Sequence, residues 1–221
     1  PWYPVAEPSD AQASADTADA SRDLTAELVK LVQAMQEIKA EEDSRVNSYE
    51  IFVNQKQTHI RNSRGVDVTF SGFDCEIEVV TNSRKDDHEI EIYRDLRFSD
   101  KSAEKIIAEV RGMFHTGRQR LNAVPTRQNE HADVLLTGNA VGSFFQYFAM
   151  HTNASYQYMG VAKAKIGEAI TGADADPLNI RLVPTLDGSA KNAPYDEAGM
   201  PVAERVLFEN GICRSYWGSL Q

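Results

Sequence analysis

Cysteine is nearly missing from this 221-residue chain, with only Cys75 and Cys213 far apart in sequence. Two cysteines allow at most one disulfide, so no disulfide framework organises the fold. They read as reduced, half-buried thiols of a cytosolic protein. No apolar run approaches the ~20 residues that span a bilayer. No basic segment followed by an apolar one marks a signal peptide, so the glycosylation-type triplet Asn153-Ala154-Ser155 reads as chance. Lys and Arg number 23 against 33 Asp and Glu, a net charge of -10. That balance argues against nonspecific binding to nucleic acid or to an anionic membrane. No internal repeat appears, and no Gly-rich phosphate loop sits between a strand and a helix. The most informative absence lies around His151. A zinc-protease helix needs two His on one face with a Glu beside the first, to hold metal and activate water. Here His151 has only Tyr147 and Gln146 four and five residues before it.

What is present is ordinary for a soluble globular protein: 42% hydrophobic and 25% charged residues. The length suits one large or two small domains. Residues 1–23 are rich in Ala, Ser, Asp and Pro and read as a mobile linker or arm, with Trp2 and Tyr3 as a docking pair. A helix is expected over Leu24 to Ile38, where Leu24, Leu28, Leu31, Val32, Met35 and Ile38 recur at spacings of three and four. Ser21 or Asp23 caps it, and Glu41-Glu42-Asp43 is expected to fray into solvent. Strands follow at Ser48 to Asn54 and Gln57 to Asn62, then turn chemistry at Asn62-Ser63-Arg64-Gly65. Val66, Val68 and Phe70 alternate with polar residues; after Ser71-Gly72, so do Phe73, Cys75, Ile77 and Val79. A turn at Asn82 to Asp87 leads to a strand from Glu89 to Phe98. This predicts an antiparallel meander of four or five strands, one face packed and one wet. A second helix, capped by Ser99 or Asp100, carries Ala103, Ile106, Ile107, Val110, Met113 and Phe114 on one side. Residues 24–118 therefore read as an α+β central domain.

Thr116 to His131 is polar, contains Pro125, and reads as a connection. Next come an apolar strand (Val134 to Leu136), a turn at Thr137-Gly138-Asn139, and an apolar helix ending at His151. Helix is expected again over Ser155 to Ile170 and a strand over Asn179 to Val183. Residues 186–201 form a long loop. Val202 to Phe208 and Ile212 to Trp217 make a hairpin about Asn210-Gly211, the preferred type I′ pair, with Arg205 and Arg214 paired to acidic neighbours. Lys163 and Lys165 face solvent. The expected class is α+β: an antiparallel sheet covered by two helices, then a mixed α/β segment ending in a β-hairpin.

Three stretches resemble the TldD/PmbA family of DNA-gyrase modulators and peptide-maturation proteases. They are Arg61-Asn62-Ser63-Arg64-Gly65-Val66-Asp67-Val68; His131 to Ile170, including GVAKAKIGEAI; and Asp176-Pro177-Leu178 through Trp217, with PTLDG and then PYDEAGMPVAERVLFENGICRSYW. The resemblance covers about residues 45–217. It implies a fragment of a longer protein, holding a central domain and, over 130–221, the beginning of a C-terminal domain. In the TldD branch a helix bears HExxxH and a later Cys completes a zinc site. Laid on this chain, that motif falls on Gln146-Tyr147-Phe148-Ala149-Met150-His151, and only the final His matches. A phenol replaces the general base, and a phenol keeps its proton at neutral pH. Cys213 matches no ligand motif.

The resemblance is thus closer to the PmbA (TldE) branch. It implies a non-catalytic cytoplasmic subunit or homologue with no metal of its own. Zinc would belong to a TldD-like protease partner, and a peptide would be the substrate. The partner surface would serve a TldD-like subunit or self-association into a dimer. Neither nucleic acid nor membrane is expected as a direct partner. Phe144, Phe145, Tyr147, Tyr156 and Tyr158 are the candidate peptide contacts, or else core. Two alternatives stand beside this. One is a metalloprotease with a relocated site built from His115, His131 and His151, with Glu130 as base. The other is a gyrase- or toxin-modulating binding protein using acidic Asp86-Asp87 and Glu89 on the wet face. Asp174 and Asp176 resemble cation ligands by type alone.

Overall fold

Three long strands dominate the first half of the computed structural model, which describes residues 22–126, 128 and 131–218. The arm expected at the N-terminus lies outside these residues except for Arg22 and Asp23, as do Trp2, Tyr3 and Glu130. Helix α1 (Leu24–Gln36) is capped by Asp23, whose carboxylate accepts from the backbone N–H of Thr25 and Ala26. It precedes strands β1 (Ser44–Arg61), β2 (Asp67–Lys85) and β3 (His88–Phe98), which pair antiparallel in the order β1-β2-β3. Helix α2 (Ala103–Leu121) follows and is capped by Ser102 rather than Ser99 or Asp100. The class is α+β, as the alternation implies.

The meander has three strands, not four or five. β1 runs unbroken through Asn54-Gln55-Lys56-Gln57. It is an edge strand with wet flanks, so polar side chains need not interrupt it. β2 runs through Ser71-Gly72 because Gly72 stays extended. It also absorbs Asn82, Ser83 and Arg84, and the turn shrinks to Asp86 (φ 53°) and Asp87. Thr81 and Ser83 are small enough to lie buried beneath α2. Ser83 Oγ meets Ser44 Oγ at 2.8 Å, and Gly117 of α2 rests directly on Ser83.

Two helices cover one sheet face. Leu31 and Met35 of α1, Ile106, Val110 and Phe114 of α2, and Cys75, Ile77 and Val79 of β2 share one core. Each such fully buried side chain contributes about 1.5–3 kcal/mol. Burial pushes the Cys75 thiol up to about 11. Both cysteines are free and fully buried rather than half-buried. Glu41 and Asp43 do not fray. They hold Arg118 of α2, with Asp43 at 3.2 Å. Helix α2 runs to Leu121, three residues past the expected domain edge, because its last turn is held there. Asn122 Nδ2 donates to the Arg118 carbonyl and Lys85 Nζ donates to Asn122 Oδ1.

The second half is looser. Val134 to Leu136 forms no strand: Val134 is 76% and Leu135 89% exposed. A strand needs a neighbour for its backbone groups, and none is beside it among the described residues. Helix α3 (Asn139–His151) ends at His151 as expected. The helix expected over 155–170 is only α4 (Ala154–Tyr158), ended at Gly160 (φ 71°). Beyond it, residues 167–170 bond instead to the final hairpin: Gly167 N–H donates to the Cys213 carbonyl and Cys213 N–H to that of Glu168. Strands β4 (Ile180–Leu182), β5 (Arg205–Glu209) and β6 (Ile212–Cys213) form a small antiparallel sheet in that order. Asn210 and Gly211 both take positive φ, 51° and 78°, as a type I′ turn requires. Arg214 pairs with Glu209 at 2.9 Å. Arg205 instead reaches the Tyr216 carbonyl, and Glu204 pairs with Arg181. No described helix is long and apolar enough to cross a membrane.

Candidate functional site

Helix α3 is largely apolar yet has no buried residue. Gly138 starts it at φ 56° without a side-chain cap. Its C-terminal turn is tied down from elsewhere. Phe148 packs edge-on against the fully buried Phe208, with ring centroids 5.9 Å apart. Trp217 Nε1–H donates to the Ala149 carbonyl at 2.8 Å. Buried Thr152 directs Oγ1 to the carbonyls of Phe148 and Ala149. Gln157 Nε2 donates to the carbonyls of His151 and Ala164, joining α4 to the helix end and to the loop beyond.

The remaining surface of α3 is an aromatic face. Phe144 stacks edge-on with Phe145 and Phe148 (centroids 5.3 and 5.9 Å). One turn on, Tyr147 lies 4.4 Å from the His151 ring, the i,i+4 neighbour on the helix. Tyr156 continues the row at 6.3 Å from His151. Phe144 is 52% exposed, and Phe145 and Tyr147 little less. The structure therefore brings together five of the expected residues: Phe144, Phe145, Tyr147, His151 and Tyr156. Tyr158 stands apart at 90% exposure, and Gln146 points into solvent.

His151 is held by a contact that sequence spacing does not reveal. Its Nδ1 accepts from the Lys163 backbone N–H at 3.2 Å. The Lys163 ammonium also lies 5.8 Å above the Tyr147 ring.

Gln146 and Tyr147 stand where the TldD-type motif has His and Glu. Gln146 and His151 keep the five-residue spacing of that motif's two His, but the first is an amide. Neither an amide nor a phenol replaces an imidazole and a carboxylate. Cys213 is buried with Leu207 and Phe208, its thiol pushed up by that burial and directed at the Ser215 carbonyl. No three His, Cys, Asp or Glu side chains gather as a ligand set among the described residues, so His115, His131 and His151 stay apart. Asp86 and Glu89 instead line a concavity with Glu41, Asp43 and Arg84. Glu89 is engaged there by the Asn82 amide. The Trp217 and Phe208 anchors and the Lys163 contact were not legible beforehand, because each joins residues with no periodic relation.

Residues 129–221 match the family described as PmbA/TldA metallopeptidase C-terminal domain. No curated protein sequence matches the chain. Among solved structures, TldE from Thermococcus kodakarensis is similar at 18% identity and a TM-score of 0.67, over 99% of this chain and 50% of that one. A Thermotoga maritima protein described as a modulator of a DNA gyrase is similar at 14% identity and a TM-score of 0.68, over 96% of this chain and 50% of that one. The chain spans about half the length of both structures, and at these identities the likeness is one of fold.

Proposed function

We propose that the chain, whose residues 129–221 match the family described as PmbA/TldA metallopeptidase C-terminal domain, is a non-catalytic, TldE/PmbA-like subunit. In this reading it supports a TldD-type zinc metallopeptidase in cytoplasmic peptide processing. One observation carries the reading. At the helix where the protease branch would hold metal, this chain has Gln146, Tyr147 and a lone His151 whose Nδ1 is already engaged by a backbone N–H. The same helix presents an aromatic face, suited to an apolar stretch of peptide or to the partner subunit. The partner supplies zinc and the attacking water; this chain supplies surface.

Elemental analysis tests this directly, on the chain alone and mixed with a TldD-like protein from the same source. The expected result is no bound zinc in the isolated chain, about one zinc per mixed pair, and peptide cleavage only in the mixture. About one zinc in the isolated chain, lost in His151→Ala, would overturn the reading in favour of a metalloprotease with unfamiliar ligands. Capture of gyrase without any TldD-like protein would overturn it in favour of a gyrase-modulating role.

A further inference from the structure

The two halves of the chain are cored separately. The cluster beneath α1 and α2 draws only on residues 24–114. The cluster under α3 draws only on residues 148–217. A third, small cluster alone mixes them: Val66 and Val68 with Tyr195, bordered by Phe70, Ala198 and Met200. Among the described residues, no helix or strand of 24–121 packs extensively on a helix or strand of 139–213. Apart from the small cluster, one backbone tie among the described residues also joins the halves, from Ser99 N–H, just past the Phe98–Cys75 pair, to the Gly188 carbonyl at 2.9 Å.

The turn that docks there closes on itself. Asp196 Oδ1 accepts from Ala198 N–H and Met200 N–H at 2.9 and 2.8 Å. Asp196 N–H donates to the Met200 carbonyl, and Val202 N–H to that of Pro194. Gly199 has φ 81°, and a Cβ there would stand 2.6 Å from Val66 Cγ1. The seat is on the face of β2 opposite the helices. Val68 and Phe70 lie in unbroken register an odd number of residues from Cys75 and Ile77, so they point the other way.

We infer that residues 194–201 are a latch: a self-closed turn that fixes the orientation of two halves which keep their folds without it. It decides how the aromatic face of α3 is presented relative to the meander. The test uses the 221-residue chain with Gly199→Val, which blocks seating, and separately Tyr195→Ala, which leaves the turn's own hydrogen bonds in place. In both, amide protection in residues 75–83 and 206–213 is expected to persist while the solution radius of gyration rises. Trypsin is expected to cut the connection after α2 at least about 10-fold faster. Loss of protection at 206–213 or 75–83 in both variants would overturn the latch, because the turn would then belong to one cooperative core. An unchanged radius and cleavage rate would overturn it too, because the halves would then be held elsewhere.

Discussion

Single residues show where this chain tolerates no addition. Gly117 is mid-helix, where a glycine normally costs stability relative to alanine. Here a Cβ would stand 2.8 Å from Ser83 Cβ and closer still to its hydroxyl, which is buried and bonded to Ser44. Gly117→Ala is therefore expected to destabilise by about 1–3 kcal/mol, read from urea unfolding. At the far end of the β1–β2 hairpin, the hydrogen bond from His59 holds the Asp67 carboxyl below its ordinary 3.8, with Arg61 adding charge. A carboxyl depressed in the folded state contributes stability above its ordinary value and loses it as pH falls through the folded one. Wild type is thus expected to lose stability below pH 3.8 that Asp67→Asn never has. The gap between their urea midpoints should close on acidification; a gap that stays constant would show that the ion pair does not matter.

At the scale of elements, α3 divides into an anchor and an open face. Phe148 touches Phe208, so Phe148→Ala should cost about 1–3 kcal/mol, less than a fully buried phenylalanine. Phe144→Ser removes a half-exposed side chain whose ring contacts among the described residues are with its helix neighbours, and should change stability by no more than about 0.5 kcal/mol. It should nonetheless lower the binding of a hydrophobic dye. Thermal unfolding of both variants separates the two roles. The boundaries of α3 were legible in sequence because a Gly turn and an apolar period bracket it. The strand before it was misread because three apolar residues in a row carry no information about a neighbour to pair with. Helix after residue 158 was misread for a related reason: Lys, Glu and Ala permit helix, but Gly160 ends it and the final hairpin offers the later backbone better-placed partners.

Across the whole molecule, the strands were legible and their continuity was not. Alternation at Phe73, Cys75, Ile77 and Val79 fixed the packed face, while Ser71, Gly72 and Asn82 looked like stops and are not. Nor does any period in the sequence indicate that the sheet is used on both faces, by helices near one end and by the 194–201 turn near the other. The geometry makes β2 a lever arm. From Val79 under the helices to Val68 under Tyr195 is about 36 Å of extended chain. A rocking of the helical layer by about 5° thus displaces the far end by about 3 Å, the thickness of a water layer. The ladder to β1 runs along this whole span and that to β3 as far as Cys75; paired strands resist bending, so that displacement arrives at the second half as a shift of its whole body rather than being absorbed along the way.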